Sequence, residues 1–156
     1  MVNNRDVATP TTNYQSPTTI FITGPTASGK SDSAMRVAEQ FDGEIVCADS
    51  QTVRRGMDIG TAKPTPQDQA RVPHHMLDII NPNERFSVHE FKNLADKAIA
   101  DIQSRGKLPV VVGGAGLYVY ALMYGFPMRP NVSEYSREQL EQMDVSELQE
   151  IIRSSD

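Results

Sequence analysis

The feature that most constrains this chain is a glycine-bracketed loop near its amino end. Its residues match the pattern G-x-x-x-x-G-K-[ST] and read Gly24-Pro25-Thr26-Ala27-Ser28-Gly29-Lys30-Ser31. A run of residues typical of β-strands, 18–23, precedes the loop, and residues 31–41 carry apolar side chains at helical spacing. In such a strand, loop and helix, backbone N–H groups wrap a phosphate, Lys30 adds a positive charge and Ser31 can ligate Mg²⁺. These eight residues, which we call the phosphate loop, therefore predict a phosphate site to which all of them contribute. The alternative is a glycine-serine turn with an incidental lysine.

The rest of the chain alternates apolar runs with helical patterns. Residues 44–48 and 109–112 predict two further buried strands. A capping box, Ser87-Val88-His89-Glu90, predicts a helix that ends at Gly106, and a second helix is expected over residues 117–124;. This alternation indicates an α/β fold with a P-loop NTPase-like parallel sheet and flanking helices.

Three parts of the chain differ in character. Residues 1–17 are polar and predict a disordered tail, residues 18–126 predict the α/β core, and residues 127–156 predict the start of a helical insertion. We expect Asp144 and Glu147 to cap a last helix, and we expect the insertion to be truncated. Between the second strand and the capping box, residues 51–84 are rich in glycine and proline and predict a functional loop with short helical turns;.

Asp49 is the strongest candidate for a chemical group outside the phosphate loop. It follows the predicted strand over residues 44–48, at the edge of a parallel sheet where ligands gather;. A carboxylate there can act as a general base or join Ser31 in holding Mg²⁺. The alternative is that Asp49 caps the turn at Ser50 and Gln51. The strand over residues 109–112 ends in glycine and lacks the aspartate of a motor ATPase, which argues against an ATP-driven machine;.

Composition excludes several other classes of protein. Fifteen Lys and Arg against 20 Asp and Glu give a net charge of −5, so there is no overall basic surface for nucleic acid;. Cys47 is the single cysteine, which excludes an internal disulfide and favours an intracellular, cytoplasmic protein;. Residues 108–128 are uncharged over a membrane-spanning length, but Pro109 and several glycines divide them, so we expect no membrane segment;.

Five ordered motifs resemble the tRNA dimethylallyltransferase family. They are residues 24–31, 48–64, 73–78, 86–91 and 113–118. The resemblance covers roughly residues 18–153, about the first half of the family. It implies an altered P-loop kinase fold and transfer of a dimethylallyl group from dimethylallyl diphosphate to the exocyclic amine of the adenosine beside the anticodon in tRNA.

The resemblance also implies roles for single residues. Residues 24–31 would hold the diphosphate, with Lys30 and Ser31 acting in catalysis and Mg²⁺ as cofactor, and Asp49 would take the proton from the amine. Contacts to the tRNA anticodon stem-loop are expected from Asp49, Ser50, Gln51, Thr52, Arg55, Lys63 and Ala115. For Arg55 and Lys63 the alternative is an exposed cation without a partner. We expect a monomer with no membrane partner.

Two positions depart from the family pattern. Arg54 stands where the family usually has tyrosine, so it either adds a phosphate contact or replaces a stacking surface. Ala115 stands where the family has a threonine hydroxyl, which removes one polar contact.

His74 and His75 lack a cysteine cluster and are expected to be structural or substrate-facing rather than metal ligands. Two other functions remain open: a P-loop small-molecule or nucleoside kinase, and an inactive truncated protein that binds phosphate compounds.

Overall fold

A computed structural model of the chain describes residues 18–114, 116–125 and 135–154. The predicted tail over residues 1–17 and the predicted tRNA contact Ala115 lie outside these described residues. Contacts between residues divide the chain into two compact units, Met1–Phe126 and Pro127–Asp156. The candidate site lies entirely in the first unit.

The first unit is built on a parallel sheet of four strands. In chain order they are β1 (Ile20–Thr23), β2 (Gly43–Cys47), β3 (His74–His75) and β4 (Leu108–Gly113). Their order across the sheet is β1-β4-β2-β3, and every neighbouring pair is parallel. The predicted parallel α/β fold is confirmed, and the carboxyl ends of the strands meet at one edge.

Strand β3 corrects the interpretation of residues 51–84 as a loop with helical turns alone. His74 and His75 pair with Ile45 and Val46 of β2, and the Ile45 N–H donates to the Pro73 carbonyl at 2.9 Å. Two residues are too few to show the alternation by which a strand is recognised in a sequence. Only the neighbouring strand makes this segment extended.

Four helices accompany the strands of the first unit: α1 (Lys30–Gln40), α2 (Pro66–Arg71), α3 (Val88–Ser104) and α4 (Gly116–Tyr124). The capping box of α3 is confirmed, because the Glu90 N–H donates to Ser87 Oγ at 3.2 Å and the Ser87 N–H donates to the Glu90 carboxylate at 2.8 Å. Helix α2 has the same device at Thr65, where a proline in the first turn completes the start signal;.

Helices α1 and α3 cover opposite faces of the sheet. Alternate residues of a strand point to opposite faces. Ile45 of β2 lines a cavity together with Met35 of α1, whereas the neighbouring Glu44 pairs with Arg105 at the end of α3. On the α3 side, Phe91 is fully buried and is stacked on Tyr118 of α4 with ring centroids 4.0 Å apart.

The second unit contains two described helices, α5 (Arg137–Glu141) and α6 (Val145–Ser154), where the sequence predicts one. The predicted cap of the last helix is confirmed: Asp144 Oδ1 accepts the Ser146 N–H at 2.7 Å and the Glu147 N–H at 2.9 Å. No helix in the described part of the chain is both long and apolar enough to cross a membrane.

Candidate active site

The phosphate loop is shaped by contacts among its own residues. Ala27 and Gly29 both have left-handed backbones, with φ of 63° and 79°. The Ser28 N–H donates to the Pro25 carbonyl at 3.3 Å, and Lys30 Nζ donates to the same carbonyl at 3.1 Å. Gly29 caps α1 without a side chain, so the amino end of the helix opens directly at the loop;.

The end of β4 packs closely against the loop and against β2. A side chain at Gly113 is excluded, because a Cβ there would lie 2.0 Å from the Ala48 carbonyl oxygen. At Gly114 a Cβ would lie 3.4 Å from the Gly24 carbonyl oxygen and 3.7 Å from Lys30 Nζ. Gly113 therefore lets the end of β4 lie directly against Ala48 after β2, whereas a side chain at Gly114, beside the phosphate loop, would make only ordinary contacts.

The loop forms one side of a cavity of about 510 Å³. From the loop, residues 26–31 line it, followed by Asp32 of α1. A second part of the lining comes from residues 49–80, which we call the wall segment; the lining residues are Asp49, Gln51, Thr52, Gly60, Thr61, Ala62, Lys63, Pro64, Asp68 and His74. Asp49 and the phosphate loop thus face one cavity. Gly24, Pro25, Ser50 and Arg55 are not among its lining residues.

A third part of the lining, which we call the floor, is apolar. It is formed by Met35 of α1, Ile45 and Cys47 of β2, and Val112 of β4. Burial raises the pKa of the Cys47 thiol to about 12, with a smaller contribution from Asp49, so the thiol is neutral. These residues were not among those that the sequence predicts for the site. The signal was present, because Ile45, Cys47 and Asp49 alternate and therefore share one face of β2 and its extension.

Asp49 is held in a turn by its own carboxylate. Its Oδ1 accepts the Gln51 N–H at 2.7 Å and the Thr52 N–H at 3.3 Å. The capping interpretation of Asp49 is therefore correct, and it does not compete with a chemical role. No described residue donates a hydrogen bond to the second carboxylate oxygen, Oδ2, which can act while Oδ1 keeps the turn.

Lys63 is a buried cation with three partners. Its side chain is 5% exposed, and Nζ donates to the Arg54 carbonyl at 2.9 Å, to Asp58 Oδ1 at 2.6 Å and to Asp78 Oδ1 at 2.8 Å. Burial alone would lower the pKa of Lys63, but the hydrogen bonds to Asp58 and Asp78 raise it overall. The alternative of an exposed, unpartnered cation is wrong for Lys63, because folding brings two carboxylates into contact with its ammonium group. All three N–H donors of the ammonium group are engaged within the protein.

The two arginines of the wall segment also make contacts within the protein. Arg54 Nη1 donates to the Pro82 carbonyl at 2.8 Å and to the Glu84 carbonyl at 3.0 Å. Arg55 Nη1 lies 3.5 Å from Asn81 Oδ1. Arg55 is exposed, and this contact is at the outer limit of a hydrogen bond, so the alternative of an exposed cation is not contradicted for Arg55;. Arg54 therefore fastens the wall segment to the residues that precede α3.

The histidines of β3 point to different environments. His74 lines the cavity, and its Nδ1 lies 2.7 Å from the Val72 carbonyl, which can only accept a hydrogen bond. Nδ1 therefore carries the proton, and burial lowers the pKa of His74;. His75 Nε2 lies 2.7 Å from the Glu44 carboxylate. Within the described ranges, no three His, Cys, Asp or Glu side chains cluster as a metal site would require.

Comparison with known proteins gives the family. A sequence model of the family described as IPP transferase matches residues 52–156, more than half of the chain. The chain belongs to the IPP transferase family. The predicted resemblance is confirmed at the level of the family.

Individual relatives agree with this assignment. The tRNA dimethylallyltransferase 2 of Geotalea uraniireducens is 57% identical over 121 residues, which cover 78% of this chain and 39% of that protein. The full-length tRNA isopentenylpyrophosphate transferase of Bacillus halodurans superposes with a TM-score of 0.72 at 40% identity, over 90% of this chain and 48% of that one. A eukaryotic dimethylallyltransferase acting on tRNA gives a TM-score of 0.69 at 34% identity, over 81% and 32% of the two chains. The chain spans less than half the length of these relatives.

Proposed function

We propose that this chain supplies the donor-binding half of a tRNA dimethylallyltransferase. In this proposal, dimethylallyl diphosphate binds with its diphosphate in the phosphate loop, and Asp49 faces the adenosine beside the anticodon. The single observation that carries the proposal is the shared cavity, which the phosphate loop and Asp49 line together with an apolar floor. The charged diphosphate of the donor matches the phosphate loop, and its short hydrocarbon tail matches the apolar floor.

The reaction follows from the two polar sides of the cavity. The adenine N6 forms a bond to the allylic carbon while the bond from that carbon to the diphosphate oxygen breaks. Negative charge grows on the departing diphosphate, where loop N–H groups and Lys30 stabilise it more strongly than in the ground state. The proton from N6 passes to Asp49, because the amine is a weak nucleophile until that proton is removed. The base must leave its stack in the RNA to reach the carbon.

The residues present fit a magnesium ion that arrives with the diphosphate. Mg²⁺ is usually held by one or two protein oxygens together with substrate phosphates and water, and the cavity offers the Ser31 hydroxyl for this role, because the free oxygen of Asp49 is assigned to the proton;. When bound, the ion would neutralise charge on the diphosphate oxygens. A tRNA substrate and a single buried thiol fit a reducing, cytoplasmic location, and we propose that the chain acts as a monomer;.

Calorimetric titration of this chain with dimethylallyl diphosphate in the presence of Mg²⁺ tests the donor site. Lys30→Ala should weaken binding about 10- to 100-fold, the effect of losing hydrogen bonds from a charged donor. Lys97→Ala, at an exposed position of α3, is the control and should leave the affinity unchanged. Equal affinity of the parent and Lys30→Ala would contradict the proposed donor site. Preference for ATP over the prenyl diphosphate would favour the kinase alternative.

A further inference from the structure

Lys63 connects three separate stretches of the wall segment. Its ammonium group joins the Arg54 carbonyl, the Asp58 carboxylate and the Asp78 carboxylate at distances of 2.6 to 2.9 Å. Arg54 and Asp78 lie on two stretches that also pair through their backbones, since the Arg55 N–H donates to the Ile80 carbonyl at 2.9 Å. We call the place where these two stretches meet the junction. Lys63 binds both stretches there and so fixes the distance between them.

A continuous path of hydrogen bonds leads from this junction to Asp49. Lys63 Nζ donates to Asp78 Oδ1 at 2.8 Å, and the Asp78 N–H donates to the Thr52 carbonyl at 3.2 Å. The Thr52 N–H in turn donates to Asp49 Oδ1 at 3.3 Å, and Thr52 Oγ1 lies 3.4 Å from the Asp49 carbonyl. Thr52 is only 5% exposed, so it is packed in place between the two aspartates.

The backbone at Asp78 needs this support. Asp78 has a left-handed φ of 53°, and Met76, two residues earlier, has a φ of 66°. Such conformations are unfavourable for residues with a side chain and persist only where the surrounding structure holds them. The ion pair to Lys63 holds the Asp78 side chain, and with it the N–H that reaches Thr52.

We propose that Lys63 is a positioning residue, which sets the direction of the Asp49 carboxylate through Asp78 and Thr52. The inference rests on the proposed function for its catalytic meaning, since Asp49 is the base of that reaction. It assigns Lys63 to the internal geometry of the site rather than to contact with RNA. With three donors already engaged, Lys63 reaches a phosphate only by breaking the junction.

Amide hydrogen exchange tests the inference without any substrate. Lys63→Met should accelerate exchange at the Gln51 and Thr52 amides by about tenfold, the equivalent of one lost hydrogen bond, relative to the amides of β4. Lys107→Met is the matched control, because it removes a lysine that pairs with Asp42 at 2.7 Å at the other end of the sheet. It should leave the ratio for Gln51 and Thr52 unchanged. An unchanged ratio in Lys63→Met, or an equal acceleration at every amide, would overturn the proposal.

A milder variant keeps the test informative if Lys63→Met does not fold. Asp78→Asn preserves the size of the side chain and weakens only the ion pair, so it should accelerate the same two amides by a smaller factor. Failure of both variants to alter those amides overturns the inference.

Kinetics separates this inference from the proposed function. In transfer assays with an anticodon stem-loop RNA, Lys63→Met should lower kcat and leave KM for the RNA near the parent value. A raised KM for RNA with normal exchange would mean that Lys63 contacts RNA, and the positioning role would be wrong. If the parent chain does not bind dimethylallyl diphosphate and Lys63→Met still loosens the Asp49 turn, the proposed function fails while the structural coupling stands.

Discussion

The two sides of the cavity obtain their shapes in different ways. In the phosphate loop, Lys30 bonds to a carbonyl five residues away, and Ser33 Oγ bonds to the Gly29 carbonyl four residues away. In the wall segment, the partners of Lys63 and Arg54 lie up to 15 and 30 residues away along the chain. A loop held by short-range contacts can be recognised from a motif of eight residues. The wall segment is held by contacts between distant residues, so its shape is known only from the folded structure.

This difference separates binding from positioning. The phosphate loop presents backbone N–H groups and a charge, so its changes should alter the affinity for the donor. The wall segment aims a carboxylate, so its changes should alter the rate of transfer or the stability of the fold.

The largest expected effect is at Asp49, the residue of the wall segment that takes the proton in the proposed reaction. Asp49→Asn keeps an oxygen that can accept the Gln51 and Thr52 N–H groups, but the amide cannot take a proton. We expect single-turnover transfer to an anticodon stem-loop RNA to fall by about 10²- to 10⁴-fold, the usual contribution of a positioned base. Donor affinity and stability to urea should stay close to those of the parent.

Asp49→Ala is the comparison variant for this experiment. It removes the base and the turn cap together, so it should also lose about 1 kcal/mol of unfolding free energy. Transfer by Asp49→Asn at the parent rate would show that the turn, and not proton removal, is the reason for the aspartate.

The next largest effect is expected where the wall segment is anchored to the sheet by Glu44. Arg105 donates to both oxygens of this buried carboxylate, and His75 of β3 lies against it. Arg105 and then His75 lower the pKa of Glu44 to about 2, against the opposing effect of burial. The ionised form is therefore favoured in the folded chain. This contribution to stability is complete above pH 4.5 and is lost as the pH falls towards 2;.

Urea unfolding across this pH range measures the contribution. The lowered pKa corresponds to roughly 3 kcal/mol of unfolding free energy, which Glu44→Gln should lose at neutral pH together with that part of the pH dependence. Glu39→Gln is the control, because Glu39 forms an exposed pair with Arg71 of the wall segment and should cost under about 1 kcal/mol;. Parallel pH curves for the parent and Glu44→Gln would refute the anchoring role.

The smallest effect is expected inside the phosphate loop, at Ala27. Its left-handed φ of 63° suits glycine better than alanine;. Ala27→Gly relieves this strain but makes the unfolded chain more flexible, so the unfolding free energy should rise by roughly 0 to 1 kcal/mol. Ala100→Gly, at an exposed position inside α3, should instead lose about 1 kcal/mol;. Equal losses in both variants would mean that the loop conformation carries no strain.

Prediction from the sequence succeeded where local rules dominate. The capping box at Ser87 and Glu90 marked the start of α3, and the glycine pattern of residues 24–31 placed the phosphate loop between β1 and α1. It failed at β3, whose two residues are extended only because β2 lies beside them. Lys63 was equally ambiguous, since its charge favours the surface until Asp58 and Asp78 are brought to it.

The sequence by itself determined the family, the parallel α/β class and the eight-residue loop whose pattern predicts a phosphate site. Each of these depends on neighbours within a few residues or on a repeated pattern of apolar side chains. Tertiary structure alone decided that Asp49 shares a cavity with the loop and that Lys63 is buried. The physical reason is distance along the chain: these contacts join residues that only the closed sheet brings together.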